Sequence, residues 1–123
     1  VGVFLLIVLE LPYPPANNSY YRNITVGGRG RTIISAKGRQ YSSDVSKIIG
    51  TVEPIDFRIC MVVDVYPPDL RKRDLDGVLK ALQDSITKAG FWSDDELIDD
   101  LRVIRKHKVP GGKVVVHISE CIA

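Results

Sequence analysis

The chain opens on an unbroken apolar run, and Val3 to Leu9 reads as a first strand buried on both faces. The polar stretch LPYPPANNSYYRNITVGGRGRT follows, with three prolines, paired asparagines and a Gly-Gly-Arg-Gly run. It predicts an unusually long loop, of the kind that in compact domains is functional or mobile. Ser35 is placed to cap a helix running to about Ile49, with Tyr41, Val45, Ile48 and Ile49 on its apolar side and Gly50 as its stop. Ile55 to Tyr66 alternates as a second strand, ended by Pro67-Pro68. Leu75, Val78, Leu79, Leu82 and Ile86 then fall at helical spacing, in a helix opened by LRKRDLDG and capped at Gly90. After FWSDDE, Ile98 to Lys106 and Lys113 to Ile118 read as two strands joined in a hairpin through Pro110-Gly111-Gly112. The order β, long loop, α, β, α, β, β predicts an α+β fold. Its simplest form is a two-layer α/β sandwich, a mixed sheet of about four strands with two helices on one face.

A length of 123 residues suits one domain, residues 1–123, and 45% hydrophobic with 26% charged residues is ordinary for a folded soluble chain. A chain this small gains from a partner, because association buries more surface per residue. The opening VGVFLLIVL is shorter than the roughly 20 apolar residues a bilayer span needs, and it lacks the basic flank and cleavage site of a signal peptide. No membrane partner is expected, and the cytoplasm is the expected compartment. Cys60 and Cys121 lie in or beside apolar runs and read as two reduced, buried thiols; with His107 and His117 they lack zinc-site spacing.

Charge changes the picture further. Up to Arg73 there are 10 lysines and arginines against 6 acids, and beyond it 7 against 9. A basic region beside an acidic cluster suits a metal-dependent enzyme acting on a polyanion, although scatter in surface charge gives the same count. Within RKRDLDGVLK, three cations (Arg71, Lys72, Arg73) precede Asp74 and Asp76 at the mouth of the second helix, and Lys80 lies one turn beyond Asp76 on the same face. Asp74 as a helix cap and Asp76 as a dipole partner explain these acids without chemistry. Asp94, Asp95, Glu96, Asp99 and Asp100 crowd the next turn. Such a cluster either is solvated or holds a cation, and magnesium prefers a few carboxylates with water and phosphate. From Asp76 to Ala89 the helix would rise about 20 Å, and the six residues on to Asp95 reach at most about 20 Å. Asp95 therefore meets its own Asp76 only if the chain turns straight back; donation from a dimer partner is the alternative.

At these residues the sequence resembles the RusA family of Holliday junction resolvases. The likeness runs from LPYPPANNSYYR through GRTIISAKGRQY to RKRDLDGVLKALQDSITKAGFWSDDELI, nearly the whole chain in order. It implies a RusA-like fold and a crossover junction endodeoxyribonuclease, a homodimer that makes paired nicks in opposing strands of four-way junction DNA with Mg²⁺, or Mn²⁺ in its place. Carried onto this chain, the three essential aspartates are Asp74, Asp76 and Asp95, which would also ligate the metal. Lys80 stands at the family's catalytic lysine, and Asp94 is the neighbour that competes with Asp95. Gly77 departs from the asparagine that relatives often carry there. DNA contacts are expected from Asn17, Asn18, Tyr20, Tyr21, Arg22, Arg29, Arg31, Lys37, Arg71, Lys72 and Arg73, the cations through phosphates and the loop asparagines and tyrosines near bases. For the tyrosines, packing over the core edge is the alternative. The apolar strands and the Phe91-Trp92 turn are candidates for a twofold interface. Rival readings are a non-catalytic junction binder and a small metal-dependent phosphohydrolase.

Overall fold

In the computed structural model, which describes residues 6–121, six strands and three α-helices alternate. In order they are β1 (Leu6–Pro12), α1 (Asn17–Tyr20), β2 (Tyr21–Val26), β3 (Arg29–Ile34), α2 (Ala36–Ile49), β4 (Ile59–Tyr66), α3 (Leu79–Lys88), β5 (Ile98–Arg105) and β6 (Lys113–Glu120). Two 3-10 turns, Leu75–Val78 and Asp95–Leu97, precede α3 and β5. The main sheet has the order β1-β6-β4-β5, and β2 pairs with β3 in a separate ribbon.

β4 is central because ICMVVDVY can bury one face completely: Ile59, Met61, Val63 and Val65 are buried and the residues between them are only partly covered. Register sets Met61 opposite Ile118, Val63 opposite Val116 and Val65 opposite Val114, which extends the dry face across β6. Helices α2 and α3 cover that face with Tyr41, Val45, Ala81, Leu82 and Ile86. Ser35 caps α2 as expected, its hydroxyl accepting from the Gly38 N–H at 3.0 Å, a contact worth about 1 kcal/mol. Ile48 does not join the apolar stripe and is half exposed; Ile49 packs instead.

Several expectations are corrected. β5 and β6 are not a hairpin, because β4 lies between them, parallel to β5 and antiparallel to β6. Their connection climbs over the end of β4, where the N–H groups of Lys106 and Val109 donate to the carbonyls of Val65 and Pro67. Pro110 and the two glycines turn the chain without pairing its flanks. The long loop is partly a hairpin: β2 and β3 are joined by Gly27 and Gly28, both at positive φ (58° and 79°), the mirror-image turn that suits strand twist. Strand β4 starts at Ile59, and Ile55 makes only an isolated bridge to Trp92. In β1, Val3 lies outside the described residues, and burial on both faces fails because β1 is an edge strand with Leu6 and Val8 exposed.

The face away from the helices carries Leu6, Val8 and Glu10 of β1, Val115 and His117 of β6, Val62 and Asp64 of β4, and Ile104 of β5. Asp64 bonds His117 at 3.0 Å in its middle. Cys60 and Cys121 meet on this face as a disulfide, with Cα atoms 5.4 Å apart, and are not separate thiols. The cause is register: Cys60 opposes Ser119, which makes Cys121 its diagonal neighbour on the same face.

Candidate active site

The approach to the site begins with a bend braced by Asp69. Its carboxylate accepts the Arg71 backbone N–H at 2.9 Å and the Arg73 guanidinium at 2.7 Å. The Arg73 bond, then that N–H, holds Asp69 well below the ordinary carboxylate range, at about 2. Arg73 also lies 5.9 Å from the Tyr13 ring centroid, and Arg105 of β5 donates to its carbonyl oxygen. Arg71 and Lys72 project into solvent.

Asp74 occupies the capping position of the Leu75–Val78 turn, yet its side chain makes no capping bond. Its backbone carbonyl does that work instead, accepting the Gly77 N–H at 3.1 Å. Both Asp74 and Asp76 are exposed and line one open cleft with Lys72, Arg73 and Arg105. Nothing lies within 4 Å of where a Gly77 Cβ would be, so a larger side chain there fits the backbone without a clash. Lys80 forms no ion pair with Asp76. Asp76 belongs to a 3-10 turn, in which residues three apart superpose, so the four-residue α-helical alignment does not carry across the junction. The Lys80 ammonium instead lies 5.9 Å from the Tyr21 ring centroid.

Asp95 comes back beside Lys80 and Asp84 of α3, because the chain reverses sharply after that helix, and it is not among the residues that line the Asp74–Asp76 cleft. Gly90 takes positive φ (78°), Phe91 and Trp92 are buried, and Trp92 Nε1 donates to Thr87 Oγ1 at 2.7 Å. Phe91 and Trp92 are core anchors and not interface residues; loss of such a buried Trp typically costs about 3–5 kcal/mol. Asp94 caps the Asp95–Leu97 turn, accepting the Glu96 N–H at 3.0 Å, and this bond pulls its pKa down. Asp95 moves the other way. Partial burial raises its pKa first, then Asp94 and the charge of Asp84, while Lys80 opposes the shift.

Asp84 was not among the expected site residues. It lies one turn beyond Lys80 on α3 and accepts a hydrogen bond from Tyr21 Oη, 63 positions away. Burial, and after it the Asp84 bond, pushes the Tyr21 phenol up, so it stays protonated and donates. The Lys80-to-Asp84 spacing was visible in the sequence; the tyrosine was not. Arg105 was missed too, since only the pairing of β4 with β5 brings it to the cleft.

Of the expected DNA contacts, Asn17, Asn18, Arg22, Arg29, Arg31 and Lys37 are exposed, and Tyr21 is half-buried. Tyr20 is not available: it is fully buried, its hydroxyl 3.4 Å from Ser85 Oγ. α1 ends at Tyr20 and the chain becomes extended at Tyr21, which leaves Tyr21 half-buried at the rim.

The sequence matches the family model described as endodeoxyribonuclease RusA over residues 12–119. The chain belongs to the endodeoxyribonuclease RusA family. It is 43% identical over 119 residues to the crossover junction endodeoxyribonuclease RusA of Escherichia coli O139:H28, covering 91% of this chain and 92% of the relative. The counterparts from Shigella sonnei and Enterobacteria phage 82 are each 42% identical over the same shares. The mixed four-stranded sheet with helices on one face is consistent with a RusA-like fold. No helix among the described residues is long and apolar enough to cross a membrane. Among them, too, no three Asp, Glu, His or Cys side chains are gathered into a cation cage. A hard divalent cation does not need one: it commonly takes one or two carboxylates with substrate phosphate and water. Asp74 and Asp76, both exposed on one open cleft, offer oxygen donors of the kind that mode uses.

Proposed function

We propose that this RusA-family chain is a divalent-metal-dependent endodeoxyribonuclease that resolves four-way DNA junctions by paired nicks in opposing strands. The observation that carries the reading is Asp74: a carboxylate in a capping position that caps nothing, sharing a cation-rimmed cleft with Asp76. Asp74 and Asp76 would hold Mg²⁺, or Mn²⁺ in its place, with Asp95, of the same chain or of a dimer partner, as the third ligand. When bound, such a cation would supply Lewis acidity and a more acidic water. Lys80, without an ion pair among the described residues, offers its ammonium to the charge that builds on the phosphate oxygens. Asp94 is left to its capping bond, which favours Asp95 as the third ligand.

Exposed Asn17, Asn18, Arg22, Arg29, Arg31, Lys37, Arg71 and Lys72, with half-buried Tyr21, supply the grip on DNA, and Arg73 and Arg105 line the cleft floor. Residues 1–123 act as a single endonuclease domain around one core. Two copies pair in the cytoplasm through the open sheet face, where Leu6, Val8 and Ile104 are exposed around the Asp64–His117 pair. A twofold dimer presents two equivalent sites to a pseudo-twofold junction. Sedimentation of the purified chain should give twice the monomer mass; a monomer at micromolar concentration overturns the pairing.

The function is tested by mixing the protein with a labelled four-way junction and a matched duplex, with Mg²⁺ or EDTA. Paired junction nicks that need the metal support the reading. Tight junction binding without cleavage makes the protein a binder, and phosphate release from nucleotides alone makes it a phosphohydrolase.

A further inference from the structure

Tyr21 touches two consecutive turns of α3 at once. Its ring lies beneath the Lys80 ammonium, 5.9 Å from the centroid, and its hydroxyl donates to Asp84. Asp84 has no ion-pair partner among the described residues, so that phenol is the group the structure sets against it. Tyr21 is also the first residue of β2, the ribbon that carries Arg22, Arg29 and Arg31. One side of this residue is fixed by the fold. Tyr20 is buried in the core, and its carbonyl accepts both the N–H and the hydroxyl of Ser35 at the start of α2. The Tyr21 side chain is held by the bond to Asp84, by the Lys80 ammonium and by edge-on packing against the Tyr20 ring, centroids 4.8 Å apart.

We propose that Tyr21 and Asp84 form a clasp that positions Lys80 for the cleavage step and fixes the arginine ribbon against the helix that bears it. Asp84 and Tyr21 are thus positioning residues, and Lys80 is the group that meets phosphate. This rests on the junction-nuclease reading above. The clasp acts through its hydrogen bond and not through the charge of Asp84.

Single-turnover cleavage of a labelled junction, at saturating protein and Mg²⁺, tests it beside junction affinity measured in EDTA. Asp84→Ala and Tyr21→Phe should each slow cleavage about tenfold, because small displacements of a catalytic group are costly. Affinity should fall less than the rate, by no more than about threefold, because the phosphate-contacting cations remain even where the ribbon that bears three of them loosens. Two coupled partners predict that the double variant is no slower than either single one. Asp84→Asn, which keeps an oxygen for the phenol, should return most of the rate. Wild-type rates in both single variants, multiplying losses in the double, or Asp84→Asn as slow as Asp84→Ala would each overturn the clasp. Thermal unfolding of all four variants separates rate loss from a loss of fold. If the unmodified protein cuts no junction with any divalent cation, the nuclease reading itself falls, an outcome distinct from an active protein indifferent to Asp84.

Discussion

Asp74 and Asp94 occupy equivalent places, each at the entrance to a 3-10 turn and each followed by further acids, but the fold uses them differently. Asp94 commits its carboxylate to the Glu96 N–H, while Asp74 makes no side-chain capping bond and lines the cleft with its carboxylate uncommitted. Their surroundings differ as well. Around Asp74 and Asp76 stand Lys72, Arg73 and Arg105, most of them near in sequence and braced by Asp69. Around Asp95 stand Asp84, Asp94 and Lys80, with Tyr21 brought from a distant ribbon. The first region is a locally built bend that offers carboxylates to something charged. The second is an assembly whose geometry depends on how α1, β2 and α3 dock.

The largest effect should come from the first region. Asp76→Asn removes one anionic oxygen from the cleft and should lower junction cleavage by at least about a thousandfold, the scale of losing a group that stabilises charge in the transition state. Binding should persist or tighten, since repulsion between carboxylate and phosphate falls. Cleavage near the wild-type rate would remove Asp76 from the chemistry and break the distinction between the two turns.

The second region should fail from a distance. A Cβ on Gly38 would lie 2.4 Å from the Tyr20 carbonyl oxygen and 2.8 Å from Ile34 Cγ2, so backbone must move. Gly38→Ala should cost about 1–3 kcal/mol, the usual price of overpacking, seen as a lower midpoint of thermal unfolding. It should also slow cleavage several-fold by shifting Tyr20 and, with it, Tyr21. The bend around Asp69 and Asp74 is built separately, so metal-free junction affinity should hardly change. A variant as stable and as fast as wild type would mean that Tyr21 is not placed through α2.

How much of this the sequence carried follows the same divide. RKRDLDG marked the first region because its groups are neighbours in the chain, and the alternation in β4 and the stripe on α3 marked the core. Tyr20 and Tyr21 looked alike as sequence; only the packing of α1 separates a buried ring from a rim ring. Register was equally silent. The pairing that joins Cys60 to Cys121, and the order that sets β4 between β5 and β6, depend on which strands meet, while local turn chemistry at Gly111-Gly112 suggested a simple hairpin. The Gly27-Gly28 turn was readable, since two glycines between alternating residues favour a hairpin, but the surrounding prolines and asparagines masked it.

The smallest effect concerns the brace beneath the first region. Asp69 titrates at about 2 in the folded chain, against an ordinary 3.8, because Arg73 and then the Arg71 N–H favour its charged form. A carboxylate depressed by folding stabilises the fold above its unfolded pKa, and that contribution disappears as pH falls through the folded value. Asp69→Asn should therefore lower the unfolding midpoint slightly at pH 6, and the gap should close between about pH 4 and pH 2. The pair is exposed, so the effect stays small and shrinks further in high salt. A gap undiminished at pH 2 would assign it to packing at the bend; no gap at pH 6 would mean that Arg73 holds its place without Asp69. In either case the cleft would owe its shape to the backbone around Pro67-Pro68 and to Arg105, and the first region would be less local than its sequence suggests.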